Sequence, residues 1–281
     1  MNPLETKRKK LFPGLFFSAL FGAVALAAAW KIAANLIDAH RSQDFWEDLQ
    51  DCVVIMETAP PGEAQPDETQ PAAAPDRRNQ FMAAPESGTL LAGPSIPAAI
   101  DFDALYETSR DVVAWIYAPD TEINYPVAQA RDNSYYLRRL LNGKGAVCGT
   151  IFADYRCSAD LSDWNTIIYG HQMDNGTMFG SLAGYRDQAY YEAHPVMYLY
   201  VPGQRYRLEL IAGYVTNVND PLYYLPSSRE ERDAVLAQAL EKSTFRSGVT
   251  VGEDDRLVTL STCAYDFNNA RYVVIGRLTA S

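Results

Sequence analysis

Residues 257–263 read LVTLSTC and residues 271–278 read RYVVIGRL, with the seven-residue stretch AYDFNNA between them. Both runs are rich in β-branched and apolar residues, and the intervening stretch has residues that favour chain reversal. They therefore predict the two strands of an antiparallel hairpin. In that hairpin Cys263 ends the first strand beside Arg271 at the start of the second, on strands about 4.8 Å apart. A thiol and a guanidinium then converge at one end of a sheet. Taken singly, neither residue points to chemistry, because a lone cysteine at a strand end is ordinarily an inert core thiol and a lone arginine a surface ion-pair partner.

Upstream, further short β-rich runs at 112–117, 123–127, 149–153, 166–169, 196–201 and 206–214 join 257–263 and 272–278. Pro202-Gly203 marks a turn, with alternating apolar positions Val196, Tyr198, Tyr200 before it and Tyr206, Leu208, Leu210 after it. About eight short strands suggest a closed barrel or a sandwich, and the expectation here is a mainly β protein built on an eight-stranded barrel. Two peripheral helices interrupt the strands. One covers 101–109 with Asp101 as its N-cap; the other starts at a Ser228…Glu231 capping box and carries Val235, Leu236, Ala239 and Leu240 on its apolar face.

The amino-terminal third differs in kind. Residues 11–30, LFPGLFFSALFGAVALAAAW, hold no charge and follow the basic cluster Lys7 to Lys10. A helix of that length covers the roughly 30 Å hydrocarbon core of a bilayer. It exceeds the 7 to 15 apolar residues of a secretory signal, which favours an uncleaved anchor over a cleaved leader. Trp30 sits where an interfacial aromatic belongs, and the basic cluster predicts a cytoplasmic amino terminus with the rest of the chain outside.

Residues 32–56 read as a helical continuation, whereas 57–99 hold eight of the sixteen prolines and a net charge of −4. That composition predicts a disordered, extended stalk. The organisation expected is thus an anchor at 1–31, a juxtamembrane helix and stalk at 32–99, and a folded domain at 100–281. The whole chain of 281 residues has a formal charge of −11, which argues against nucleic acid as a partner.

Scarce residues narrow the chemistry. There are three histidines and four cysteines, with no Cys-x-x-Cys, no His-Glu-x-x-His and no glycine-rich phosphate loop after a strand, so no metal or cofactor is expected. Cys148 and Cys157 flank an extended run too long for a disulfide, and all four cysteines are expected as free thiols. His194, before Pro195, reads as structural, and His40 as a juxtamembrane surface residue. His171 ends the run NTIIYGH at 165–171, where a strand again delivers a scarce residue at its end. Together His171, Cys263 and Arg271 supply an acid/base, a nucleophile and a fixed cation.

The stretches NTIIYGHQMDNGTMFGSL at 165–182, TLSTC at 259–263 and NNARYVVIGRL at 268–278 closely resemble a class B sortase, a membrane-anchored cysteine transpeptidase of Gram-positive bacteria. INYPVAQARDNSYYL at 123–137 and GTIFADYR at 149–156 support the resemblance, which spans 100–281. It implies an eight-stranded sortase barrel with His171, Cys263 and Arg271 as the catalytic set. The cysteine would attack a C-terminal sorting signal of a secreted protein to form a thioester. An amine from a peptidoglycan precursor or a pilin-like protein would then resolve it.

The residue types suit that reaction. A thiolate is the nucleophilic form of cysteine and a nearby cation favours it. Imidazole gives and takes protons near neutral pH, and a guanidinium stays charged and can steady a developing oxyanion. The resemblance also places Asn133, Leu137, Tyr169 and Ser261 along the sorting-signal groove, with Leu222 and Tyr223 near another part of it. Ala264 stands where some relatives carry an acidic residue, which leaves substrate preference open. Two other readings remain: a membrane-anchored cysteine endopeptidase that releases the cleaved protein, and a non-catalytic wall-associated scaffold.

Overall fold

Eight strands close a barrel in the computed structural model, which describes residues 13–54 and 96–281. Numbered with a short two-stranded ladder that precedes them, β1 (Val53–Val54) and β2 (Ala99–Ile100), they are β3 (Val112–Tyr117), β4 (Asn124–Ala128), β5 (Ile151–Ala153), β6 (Asn165–Tyr169), β7 (Val196–Val201), β8 (Gln204–Asn217), β9 (Arg256–Cys263) and β10 (Ala270–Ala280). The order around the barrel is β10-β8-β7-β3-β4-β5-β6-β9, closed by pairing of β9 with β10. The β4–β5 and β6–β9 pairs are parallel and the other barrel pairs antiparallel.

β3 and β7 occupy the runs 112–117 and 196–201 read as strands. β8 runs longer because it is paired on both edges, by β7 over Gln204 to Glu209 and by β10 over Tyr206 to Asn217. β5 begins later than Gly149, for a steric reason. Gly149 has φ +60°, and a Cβ there would lie 2.5 Å from the carbonyl oxygen of Tyr136 and 2.6 Å from that of Leu137. The Pro202-Gly203 turn forms between Val201 and Gln204, with Gly203 at φ +78°.

Because successive strand side chains face opposite ways, β6, β9 and β10 serve two cores. Ile168, Val258, Leu260, Tyr272 and Val274 belong to the main one. Ile167, Leu257, Val273 and Ile275 belong to a second, capped by Leu222 and by Ala239 of helix α4 (Arg229–Lys242), the last of four α-helices among the described residues. Ser228 Oγ accepts from the Glu231 amide, as a capping box requires. The Glu231 carboxylate reaches one residue further back, to the amide and hydroxyl of Ser227, so the reciprocal half of the box is shifted. The apolar face also differs by one member. Leu240 is 51% exposed, and the buried position is taken by Arg232, whose guanidinium lies over Trp164 and donates to the carbonyls of Gly252 and Asp255. The short helix α2 (Phe102–Thr108) starts where expected, with Asp101 accepting from the Ala104 amide at 2.9 Å. A third helix, α3 (Gln188–Ala193), lies on the barrel's flank.

The first helix, α1 (Pro13–Gln50), joins the apolar run and the juxtamembrane segment in a single element. Among the described residues it is the one helix long and apolar enough to cross a membrane. Its last turns dock on the barrel: Trp46 and Leu49 are buried, the Trp46 ring meets Tyr125 edge-on, and Asp38 accepts from the Val147 amide at 2.9 Å. The chain then forms β1, which pairs with β2 through Val53↔Ile100 and Val54↔Ala99. The basic cluster at 7–10 and nearly all of the proline-rich stretch lie outside the described residues. The β1–β2 ladder pairs Val54, which precedes that stretch, with Ala99 at its far end. Asp38, Trp46 and Leu49, which make the contacts of α1 with the barrel, belong to the segment 32–56 read as a helical continuation.

Candidate active site

The parallel pair β6–β9 ends with Tyr169 level with Ser261. Two residues further along each chain, the same register brings His171 level with Cys263. The Gly170 amide donates to the Ser261 carbonyl at 3.1 Å, and the Thr262 hydroxyl to the Gly170 carbonyl at 2.8 Å, so the register persists past the last strand residue of β6. On the other side of β9, Cys263 pairs directly with Arg271 of β10. Cys263 is thus flanked by a histidine on one neighbour and an arginine on the other. All three are part-buried and face one cleft of about 440 Å³.

Gly170 permits this arrangement, because a Cβ there would fall 2.6 Å from the Phe179 ring. The His171 carbonyl accepts from the Phe179 amide at 2.9 Å, so the loop after β6 is pinned from its far side. The His171 ring is held as well, with Nε2 2.6 Å from the Leu137 carbonyl oxygen. Arg271 donates from Nη1 to the Ala270 carbonyl at 2.9 Å, and among the described residues no carboxylate pairs with it. Its charge is therefore free to act on a ligand.

Asn133, Leu137, Tyr169, Tyr223 and Ser261 all line the cleft. Leu222 does not. It is fully buried in the second core, where it fixes the turn of 3-10 helix Pro221–Tyr224, and its neighbours Tyr223 and Tyr224 supply the cleft wall. Tyr169 and Tyr223 stack at 6.3 Å with 13° between their planes, and the Tyr223 hydroxyl hydrogen-bonds Ser261 Oγ at 2.8 Å. Burial lifts the Tyr223 phenol to about 12, so it stays neutral. Phe152, Arg156, Val218 and Thr262 also line the cleft. Sequence reading does not single these out, although Phe152 and Arg156 lie inside the GTIFADYR stretch.

The four cysteines are free thiols. Burial raises Cys148, and pushes Cys157 up to about 12, which keeps both protonated and inert. No group of three or more His, Cys, Asp or Glu side chains suited to a metal occurs among the described residues. A nucleophile, an acid/base and an unpaired cation at the rim of an apolar cleft can form and resolve a covalent acyl intermediate.

Residues 116–279 match the Sortase domain family model. The chain belongs to the sortase family. Within it, this sortase is 38% identical over 180 residues to the Sortase B of Listeria monocytogenes serovar 1/2a, covering 62% of this chain and 72% of that relative. It is 33% identical over 181 residues to the Sortase B of Staphylococcus aureus, covering 63% and 74%. The solved structure of the S. aureus Sortase B superposes with a TM-score of 0.61 at 31% identity, over 65% of this sortase and 88% of that chain. Sortase B from B. anthracis in complex with AAEK1 gives a TM-score of 0.65 at 30% identity, over 88% of this sortase and all of that chain. The protein is a class B sortase, and hence a cysteine transpeptidase on an eight-stranded barrel.

Proposed function

We propose that this sortase cuts the C-terminal sorting signal of a secreted protein and transfers the new carboxyl end to an amine acceptor outside the cell. Cys263 thiolate attacks the scissile carbonyl, and the tetrahedral oxyanion forms beside Arg271. Collapse breaks the peptide C–N bond, leaves a thioester on Cys263, and passes a proton from His171 to the departing amine. An incoming amine attacks the thioester, gives its proton to His171 and releases Cys263. The observation that carries this reading is the position of Cys263 between His171 and Arg271 on neighbouring strands.

The acceptor is a peptidoglycan precursor or a pilin-like protein, and a Sortase B complexed with triglycine among the structural relatives supports an amine of the glycine type. The anchor is α1, with the amino terminus cytoplasmic and the barrel extracellular. Full-length protein in detergent, given a sorting peptide and triglycine, should yield the ligated product and a Cys263 adduct detectable by mass spectrometry. Hydrolysis alone at saturating triglycine would instead support an endopeptidase.

A further inference from the structure

Asp154 follows the last residue of β5 and its side chain is fully buried, outside the cleft lining. Five donors converge on it. Oδ1 accepts from the Arg156 amide at 3.0 Å and from Arg156 Nε at 2.8 Å; Oδ2 accepts from Arg156 Nη2 at 2.7 Å, Asn133 Nδ2 at 2.9 Å and the Tyr169 hydroxyl at 2.9 Å. Arg156 Nη2 also donates to the Tyr223 carbonyl at 3.0 Å. Asn133, Arg156, Tyr169 and Tyr223 each line the cleft, and they come from four separate segments of the chain.

We propose that Asp154 is a positioning residue for the sorting-signal groove, holding Asn133, Arg156 and Tyr169, and Tyr223 through Arg156, in the geometry that receives the peptide. This rests on the reading of the cleft as that groove. The chemistry of the cluster supports it. A buried carboxylate is costly unless each lone pair is met, and here the groups that meet it are wall residues rather than core groups. With the Tyr169 hydroxyl committed to Asp154 and that of Tyr223 to Ser261, the two phenols present stacked ring faces rather than polar tips. This part of the cleft wall therefore suits an apolar or flat part of the ligand, and its shape depends on a group outside the cleft lining.

Asp154→Asn keeps the shape but puts an amide against five donors and leaves Arg156 without its counter-charge. The expected result is a rise in KM for the sorting peptide of about ten-fold or more with a smaller change in kcat, while a small methanethiosulfonate reagent modifies Cys263 at the wild-type rate. Tyr169→Phe, which removes one donor and keeps the ring, should raise KM about three-fold, and the double variant should be no worse than Asp154→Asn alone. Wild-type KM in Asp154→Asn, or strictly additive effects in the double variant, would overturn the proposal. Should Asp154→Asn fail to fold, Tyr169→Phe and Asn133→Ala decide, and unchanged KM in both would overturn it. Absence of any peptide adduct on wild-type protein would instead sink the functional reading and is seen before any variant is made.

Discussion

The imidazole of His171 is hydrogen-bonded to a main-chain carbonyl, with Nε2 2.6 Å from the oxygen of Leu137. A carbonyl oxygen only accepts, so Nε2 carries the proton and Nδ1 is the nitrogen left to exchange one. The side chain of Leu137 lines the cleft, so one residue gives its side chain to the cleft wall and its backbone carbonyl to the His171 ring. Gly149 makes this relationship testable. A Cβ at position 149 would lie 2.6 Å from that same carbonyl oxygen, at a φ of +60° that disfavours other residues. Gly149→Ala should displace the Leu137 carbonyl and lower kcat by ~100-fold, with an altered pH–rate profile and Cys263 still open to thiol reagents. An unchanged kcat and profile would show that the carbonyl does not orient the ring.

Arg271 tests the role of a fixed cation. Arg271→Lys keeps the charge but loses the planar fork, and the rate of acyl-enzyme formation should fall by ~100-fold or more with little change in melting temperature. Cys263→Ala should fold like wild type and form no adduct. Cleavage of sorting peptide by Cys263→Ala would overturn the nucleophile assignment.

The thiols should differ in reactivity. With Cys157 pushed up to about 12 by burial, roughly one molecule in 10⁴ holds that thiolate at pH 8, and Cys148 is both raised and buried. Brief alkylation of native protein followed by peptide mapping should find label on Cys263 and leave Cys148 and Cys157 unmodified until denaturant is added. Early label on Cys157 would mean that β5 and the loop after it open readily.

Asp154 also sets an acid limit. Burial pushes its carboxyl up, but Arg156, Tyr169 and Asn133 outweigh that and hold it below the ordinary carboxylate value. A depressed folded-state value contributes stability that is present above the unfolded value near 3.9 and is lost as pH falls through the lower folded one. Wild type should therefore lose melting temperature more steeply than Asp154→Asn as the pH falls below the unfolded carboxylate value. Parallel curves would show that the network carries no charge-dependent stability.

How far the sequence reveals this molecule depends on which signals are local. Short β-rich runs are a local signal, so β3 and β7 fall on the residues read as strands, and the β9–β10 hairpin places Cys263 opposite Arg271 as its turn implies. The parallel pairing of β6 with β9, which brings His171 level with Cys263, joins segments about ninety residues apart and has no local signature; only the resemblance supplies it. The resemblance places Leu222 with Tyr223 near the groove, yet a 3-10 turn sends neighbouring side chains to different places, one to the core and one to the cleft. Asp154 escapes a sequence reading, since a single aspartate in a β-rich run looks like a surface residue until its five donors are seen together.

The proline-rich stretch yields to one long-range contact in the same way. Its composition predicts a disordered, extended stalk, while Val54 pairs with Ala99 across it and α1 packs on the barrel through Trp46 and Leu49, from which we infer that α1 carries the barrel. Replacing residues 57–94 with a four-residue Gly/Ser linker should therefore leave the fold and the peptide-cleavage rate of full-length protein intact. Shortening the closed loop by two doublings or more should stabilise it by about 1 kcal/mol. Trp46→Ala, by contrast, removes a buried aromatic that ties α1 to Tyr125 and should destabilise that contact by about 3 kcal/mol or more. If α1 is the anchor proposed above, in vesicles the linker variant should cleave a membrane-tethered sorting peptide as well as wild type does, and Trp46→Ala less well, because the helix would then set the height of the cleft above the bilayer. Loss of activity in the linker variant with an intact melting transition would restore the stretch as the functional tether.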